Sequence, residues 1–223
     1  MSTNDLSSML NPPRSQRREK PSPRTRRGRP ARFDRKLLCE RALGVFCQKG
    51  YSAASTQALC EAMELTPPSL YNSFGNKEQL FLEILDRYHQ SYLDRLDALA
   101  TAHTDPQAFV ANLVAMQRSM HTQKGALGCL IVNSSINTAE PEPAIGEALK
   151  RIHNTNEKRL HGVFKRFQKA GKVANSFDAL RYARFLNGNF QGAAVLARGQ
   201  GSKAAVSDLL ETAEQCVTAA LTG

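Results

Sequence analysis

Residues 50–82 read GYSAASTQALCEAMELTPPSLYNSFGNKEQLFL, and the fold is decided in this stretch. Ser55 or Thr56 can cap a short helix in which Leu59, Ala62 and Met63 face inward, and that helix ends near Glu64. Thr66 then stands before Pro67, the favoured first residue of a helix, and the turn carries on through Leu70 to Phe74. Two short helices separated by about three residues make a helix-turn-helix unit.

Working outward, Leu37, Leu38, Ala42, Val45 and Phe46 recur at helical spacing, with Asp34 placed to cap and Gly50 to stop. A helix over 34–49 follows. On the other side Asn76 can cap a longer helix whose apolar stripe is Phe81, Leu85, Tyr88, Tyr92, Leu96 and Leu99. That helix is longer than the small unit can cover, so it must serve a second layer of structure as well.

The remaining chain predicts only helices, without strand alternation or internal repeat. Asp105-Pro106 opens a helix to about His121, and residues 125–139 are apolar enough for a buried one. Pro141 and Pro143 precede a long segment with Ile145, Leu149, Ile152, Leu160, Phe164 and Phe167 on one stripe, ending at Gly171. Segments 176–197 and 202–221 read as a closing hairpin. The expected fold is all-α with about nine helices: a basic arm over 1–30, a three-helix DNA-binding domain over 31–78, and a helical bundle over 79–223.

Composition excludes several classes of protein. With 223 residues the chain can bury a core without crosslinks, and its five cysteines are scattered with no C-x-x-C pair. The first thirty residues hold no apolar run of signal-peptide length, and the uncharged stretch 125–139 is too short and too polar to span a bilayer. The expectation is a soluble, reduced, cytoplasmic protein. The five histidines form no metal-ligand pattern, and there is no nucleophile–base arrangement, phosphate-cradling loop or carboxylate pair. Neither enzyme activity, metal nor cofactor is expected.

The net charge of +10 is unevenly spread. Residues 1–32 carry nine Lys and Arg against Asp5 and Glu19, a net +7, leaving +3 for the other 191. A cationic arm on a nearly neutral body points to a polyanion, because each cation near a phosphate releases a counterion. A solvated tail and a transit peptide are the alternatives, and five prolines in the arm argue against the amphipathic helix of the latter.

The segment around residues 28–90 resembles the DNA-binding domain of the TetR family of bacterial transcriptional regulators. The resemblance lies in Gly50-Tyr51, Ser55-Thr56, Ser69-Leu70-Tyr71, Phe74-Gly75-Asn76-Lys77-Glu78 and Leu80-Phe81, with Gly28-Arg29-Pro30-Ala31-Arg32-Phe33-Asp34 as lead-in. It implies that Gln57, Pro67, Pro68, Ser69 and Asn72 meet base edges in the major groove, and that Thr56, Tyr71 and Lys77 hold phosphates. The amides of Gln57 and Asn72 suit adenine and the prolines suit thymine methyls. Tyr71 packed between helices, Pro67 as a mere helix starter and Lys77 as a solvated lysine are the plainer readings. Glu64 departs from the family, which commonly has Gly in this turn. Arg26, Arg27 and Arg29 flank Gly28 and Pro30 in a string similar to minor-groove AT-hooks, which suits a narrow A·T-rich groove.

For the bundle, the resemblance implies a homodimer on a palindromic double-stranded DNA operator, with a small-molecule effector that releases it. The hairpin is the expected interface, through Leu186, Phe190, Ala193 and Ala197 of one helix and Leu209, Ala213 and Val217 of the next. Walls for an effector are expected among Phe109, Leu113, Met116, Met120, Leu130, Ile152 and Phe185, with ordinary core as the alternative. Gly128-Cys129-Leu130 is similar to a string of some family branches whose cysteine senses electrophiles or oxidants. An inert buried thiol is the competing reading of Cys129. A non-specific architectural DNA binder, driven by the arm, is the alternative function.

Overall fold

The computed structural model describes residues 34–123, 128–136, 142–199 and 202–222, which contain nine α-helices and no strand. The arm, with Arg26, Arg27 and Arg29, lies outside the described residues. Helix α1 (Arg35–Ala53) is capped by Asp34, whose carboxylate accepts from Lys36 N at 2.9 Å. It buries Leu38, Cys39, Ala42 and Phe46 and breaks at Gly50, where φ is 73°. Leu37 faces outward, 45% exposed, because the buried stripe runs through its neighbour Leu38.

Ser55, rather than Thr56, caps α2 (Thr56–Met63), accepting from Ala58 N at 3.1 Å. Thr66 caps α3 (Pro67–Phe74), and Asn76 caps α4 (Lys77–Ala102) in a reciprocal box with Gln79. Between α2 and α3, Glu64 takes the left-handed conformation (φ 55°) that glycine would adopt without strain. The Leu65 N–H bonds back to the Cys60 carbonyl at 2.9 Å, closing the helix end, and Arg41 holds the Glu64 carboxylate at 3.0 Å. The turn therefore keeps its usual shape and carries a conformational cost of about 1 kcal/mol.

The second half consists of α5 (Pro106–Thr122), α6 (Leu130–Ile136), α7 (Pro143–Lys169), α8 (Ala179–Arg198) and α9 (Lys203–Thr222). Two expectations change here. The helix expected over 125–139 is described only as the seven residues of α6, since 124–127 and 137–141 lie outside the described residues. Helix α8 starts three residues later than expected, because Asp178 and not Ser176 caps it, while buried Phe177 is pinned by Gln168 Nε2 donating to its carbonyl at 2.8 Å.

Two cores form. One joins α1, α2, α3 and the front of α4 (Leu80, Phe81, Ile84, Leu85) to Leu130 of α6 and to Ile145, Leu149 and Ile152 of α7. The other joins the rear of α4 (Leu96, Ala100) to α5, the rear of α7, α8 and α9. Helices α4 and α7 therefore each run through both cores. The three-helix head shares its core with α4, α6 and α7.

Candidate nucleic-acid interface and the cavity behind it

Two prolines at its start and a cap at Thr66 commit α3 to helix, and Leu70 and Phe74 commit one face of it to the core. The opposite face is left to solvent. Pro67, Pro68 and Asn72 are exposed, Ser69 is half-buried, and Tyr71 is 49% exposed, so its ring is not packed between helices. On α2, Thr56 is half-buried and Gln57 exposed; the Gln57 Nε2 donates to Glu61 Oε1 at 3.0 Å. The structure thus brings the expected base-reading residues onto solvent-facing parts of α2 and α3.

Lys77 is tied down rather than free. Its ammonium donates to the Tyr51 carbonyl at 3.1 Å and sits 4.4 Å over the Tyr51 ring, so it locks the start of α4 to the end of α1 beyond the break at Gly50. Arg35, which carried no motif in the sequence, performs the matching task at the other end of the unit. Its guanidinium grips Glu83 of α4 with two donors, gives a third to the Ser73 carbonyl of α3 at 2.6 Å, and lies 4.3 Å over the Phe74 ring. Arg87 also reaches Glu83, at 3.0 Å, and the two guanidiniums hold its carboxyl below the usual carboxylate range. The last turn of α3 is thereby clamped, while its first turn is held by the Thr66 cap.

Behind this head, α4, α5, α6, α7 and α8 line a partly open cavity of about 60 Å³. Tyr88 and Tyr92 come from α4; Gln117, Met120 and His121 from α5; Cys129 precedes α6; His153 and Asn156 come from α7; Asn187 and Phe190 from α8. The Tyr88 hydroxyl donates to Cys129 Sγ at 3.7 Å, and burial raises the Tyr88 phenol well above its ordinary value and that of Tyr92 to about 12. Burial lowers His121 below the ordinary imidazole value; burial, with His89 as a second cause, does the same to His153. Burial pushes the thiols of Cys39 and half-buried Cys47 each up to about 11, which lowers their thiolate fraction at neutral pH.

Of the expected effector walls, Met120 and Cys129 line this cavity. The others do not. Phe109 and Leu113 are closed inside the rear core with Met116 packed against it, Leu130 is closed inside the front core, and Ile152 lines a separate surface groove with His89 and Arg151. Phe185 is 39% exposed on the outside of α8. The reason is common to all of them: the largest apolar residues fill the cores, while the cavity is left where polar side chains interrupt the stripes. Gln117 and His121, one turn apart on the buried face of α5, were the available signal.

The residues expected at the interface divide by burial in the single chain. Leu186, Phe190, Ala193, Ala213 and Val217 are buried within the single chain, as the inward stripe of the hairpin. Ala197 and Leu209 are half-buried at its edge, and Leu209 Cδ2 lies close to Gly192, 3.5 Å from where a β-carbon there would stand.

A clamped, solvent-facing short helix preceded by a second across a tight turn, mounted on an all-helical body, is the architecture of a helix-turn-helix transcriptional regulator. A family model described as bacterial regulatory proteins, tetR family, matches residues 38–84, and one described as tetracyclin repressor-like, C-terminal domain, matches 107–213. The chain belongs to the TetR family. It is 32% identical over 174 residues to the HTH-type transcriptional repressor ComR of Escherichia coli (strain K12), covering 77% of this chain and 83% of that one. A solved structure of a cysteine mutant of the TetR family regulator CifR, complexed with 26-bp double-strand operator DNA, is 29% identical with a TM-score of 0.77, covering 84% of this chain and 98% of that one. The fold is also shared with reduced NemR of E. coli, at 19% identity and a TM-score of 0.73, covering 81% of this chain and 94% of that one. These relatives are regulators of transcription and not enzymes, and among the described residues no helix is long and apolar enough to cross a membrane.

Proposed function

We propose that the chain is a repressor that binds an inverted-repeat operator as a homodimer and leaves it when a small molecule or electrophile enters the cavity. The observation that carries this reading is the solvent face of α3: Pro67, Pro68, Tyr71 and Asn72 are presented by a helix whose other face is packed, whose start Thr66 caps and whose last turn Arg35 holds. Asn72 and Gln57 then read bases, Thr56 and Tyr71 hold phosphates, and Arg26, Arg27 and Arg29 enter the adjoining minor groove. Lys77 reaches phosphate only with the protons its bond to Tyr51 leaves over.

Dimerisation is assigned to the outer face of the hairpin. Six large apolar side chains are exposed among the described residues, and three of them, Phe185, Val195 and Leu196, lie on α8. Half-buried Ala205 and Leu209 and exposed Cys216 of α9 extend the same surface. Cys129, facing the cavity beside Tyr88, is the residue an electrophile would modify.

Selection of bound duplexes from random DNA tests the reading. One enriched inverted repeat is expected; enrichment for A·T richness alone would favour an architectural role for the arm instead. Release by an electrophile should disappear in Cys129→Ser, and release that persists unchanged removes the thiol from the mechanism.

A further inference from the structure

The cavity has a chemical character of its own, which rests on reading it as the effector site but goes beyond that reading. Among its described lining residues there is no Asp, Glu, Lys or Arg; the polar groups are carboxamides, imidazoles, phenols and one thiol. Four of these are already engaged. His153 Nε2 meets Ser135 Oγ at 3.0 Å, Asn156 Oδ1 meets His89 Nε2 at 2.8 Å, and Tyr88 is bonded to Cys129.

Two buried nitrogens are not engaged. Nδ1 of His121, a residue only 5% exposed, and Nδ2 of Asn187 have no hydrogen-bond partner in the protein. A native core rarely leaves such groups unpaired, so their partner is to be sought in whatever fills the space they line. An amide nitrogen can only donate, whereas a neutral imidazole Nδ1 donates or accepts according to its tautomer. Burial keeps both His121 and His153 uncharged at neutral pH, so the walls supply no counter-ion to either sign. A charged guest would lose water on the side facing these walls with no opposite charge to compensate it. The volume admits about four waters, which is the displacement of one substituted ring, and Tyr88, Tyr92 and Phe190 supply apolar surface to flank it.

We propose that the cavity takes an uncharged, single-ring-sized molecule with an oxygen that accepts from Asn187 Nδ2 and a group that bonds His121 Nδ1, and that it rejects carboxylates and amidines of the same shape.

Three nearly isosteric probes separate the possibilities: benzamide, benzoate and benzamidine, titrated calorimetrically into the full chain at neutral pH. Benzamide is expected to bind about tenfold or more tightly than either ion, because only the neutral probe avoids an unpaired charge. Asn187→Leu and His121→Phe should each weaken benzamide by about fivefold or more. Asn187→Asp, nearly unchanged in shape, should reverse the order in favour of benzamidine, and circular dichroism of each variant establishes that it is folded. Benzoate or benzamidine binding as tightly as benzamide, an unreversed order in Asn187→Asp, or no binding of any probe would overturn the proposal. Benzamide binding that leaves an operator complex intact would sustain it and count against the effector reading alone.

Discussion

The ammonium of Lys77 is committed before any phosphate arrives, and this sets what its removal should do. Lys77→Ala loses a bond to the Tyr51 carbonyl and a cation–π contact, so thermal melting should report a loss of about 1 kcal/mol, alongside weaker binding to all duplexes and a shallower salt dependence. Unchanged melting would mean that the clamp to Tyr51 carries no stability. Asn72→Ala should instead leave melting alone and relax base preference at one position per half-site, by about 1–3 kcal/mol in competition binding. Equal weakening on every sequence would remove Asn72 from base reading. The caps at Thr66 and Asn76 were legible because Ser, Thr and Asn satisfy orphan helix N–H groups from within their own neighbourhood. The left-handed Glu64 was legible only as a conflict, since its partners, the Cys60 carbonyl and Arg41, settle the outcome. Nothing local announced Arg35: its partners lie 38 and 48 residues away.

Short helices of eight residues are not stable alone, so α2 and α3 depend on what closes their ends. Gly75 is one such closure. Its φ is 78°, and a β-carbon there would lie 1.7 Å from Gln79 Oε1, the atom that completes the cap of α4. Gly75→Ala must displace Gln79 and strain the backbone together, and chemical denaturation should show a loss of about 1–3 kcal/mol. Glu83 is the other closure, joining α4 to α1 through Arg35 while Arg87, one turn on in α4, holds the same carboxylate. Its carboxyl is held below the ordinary value when folded, so its contribution is complete above the unfolded value of about 4.3 and is lost as pH falls through the folded one. Glu83→Gln should therefore cost on the order of 1 kcal/mol at neutral pH, since the half-exposed Arg35 is screened by solvent, and the gap to the parent should close in acid. A gap independent of pH would assign the loss to packing. Helix positions were readable from periodicity because each stripe is a property of one segment. Which stripe meets a neighbour and which meets solvent is not a property of one segment, and periodicity alone does not separate the inward residues of α8 and α9 from their outward ones.

Across the whole molecule the same distinction decides assembly. A charge placed on the outer face of α8, in Val195→Asp with Leu196→Asp, should give a helical monomer by analytical ultracentrifugation and abolish tight operator binding, because both side chains are exposed in the single chain. A dimer that survives would move the interface elsewhere. Beyond Gln117 and His121 on α5, the cavity leaves no trace in a linear reading for a geometric reason: Gln117, His153 and Asn187 stand on separate helices and converge only through their crossing. That crossing has a mechanical result. Helix α4 is one uninterrupted rod, with Tyr88 and Tyr92 against the cavity and Lys77 at its tip. Eleven residues of helix separate Tyr88 from Lys77, roughly 16 Å, so a guest that pivots the rod by about 5° swings the tip by roughly 1.5 Å. In a twofold assembly both tips swing, and the lever turns a modest intrusion at the fulcrum into a mismatch with the repeat of the double helix.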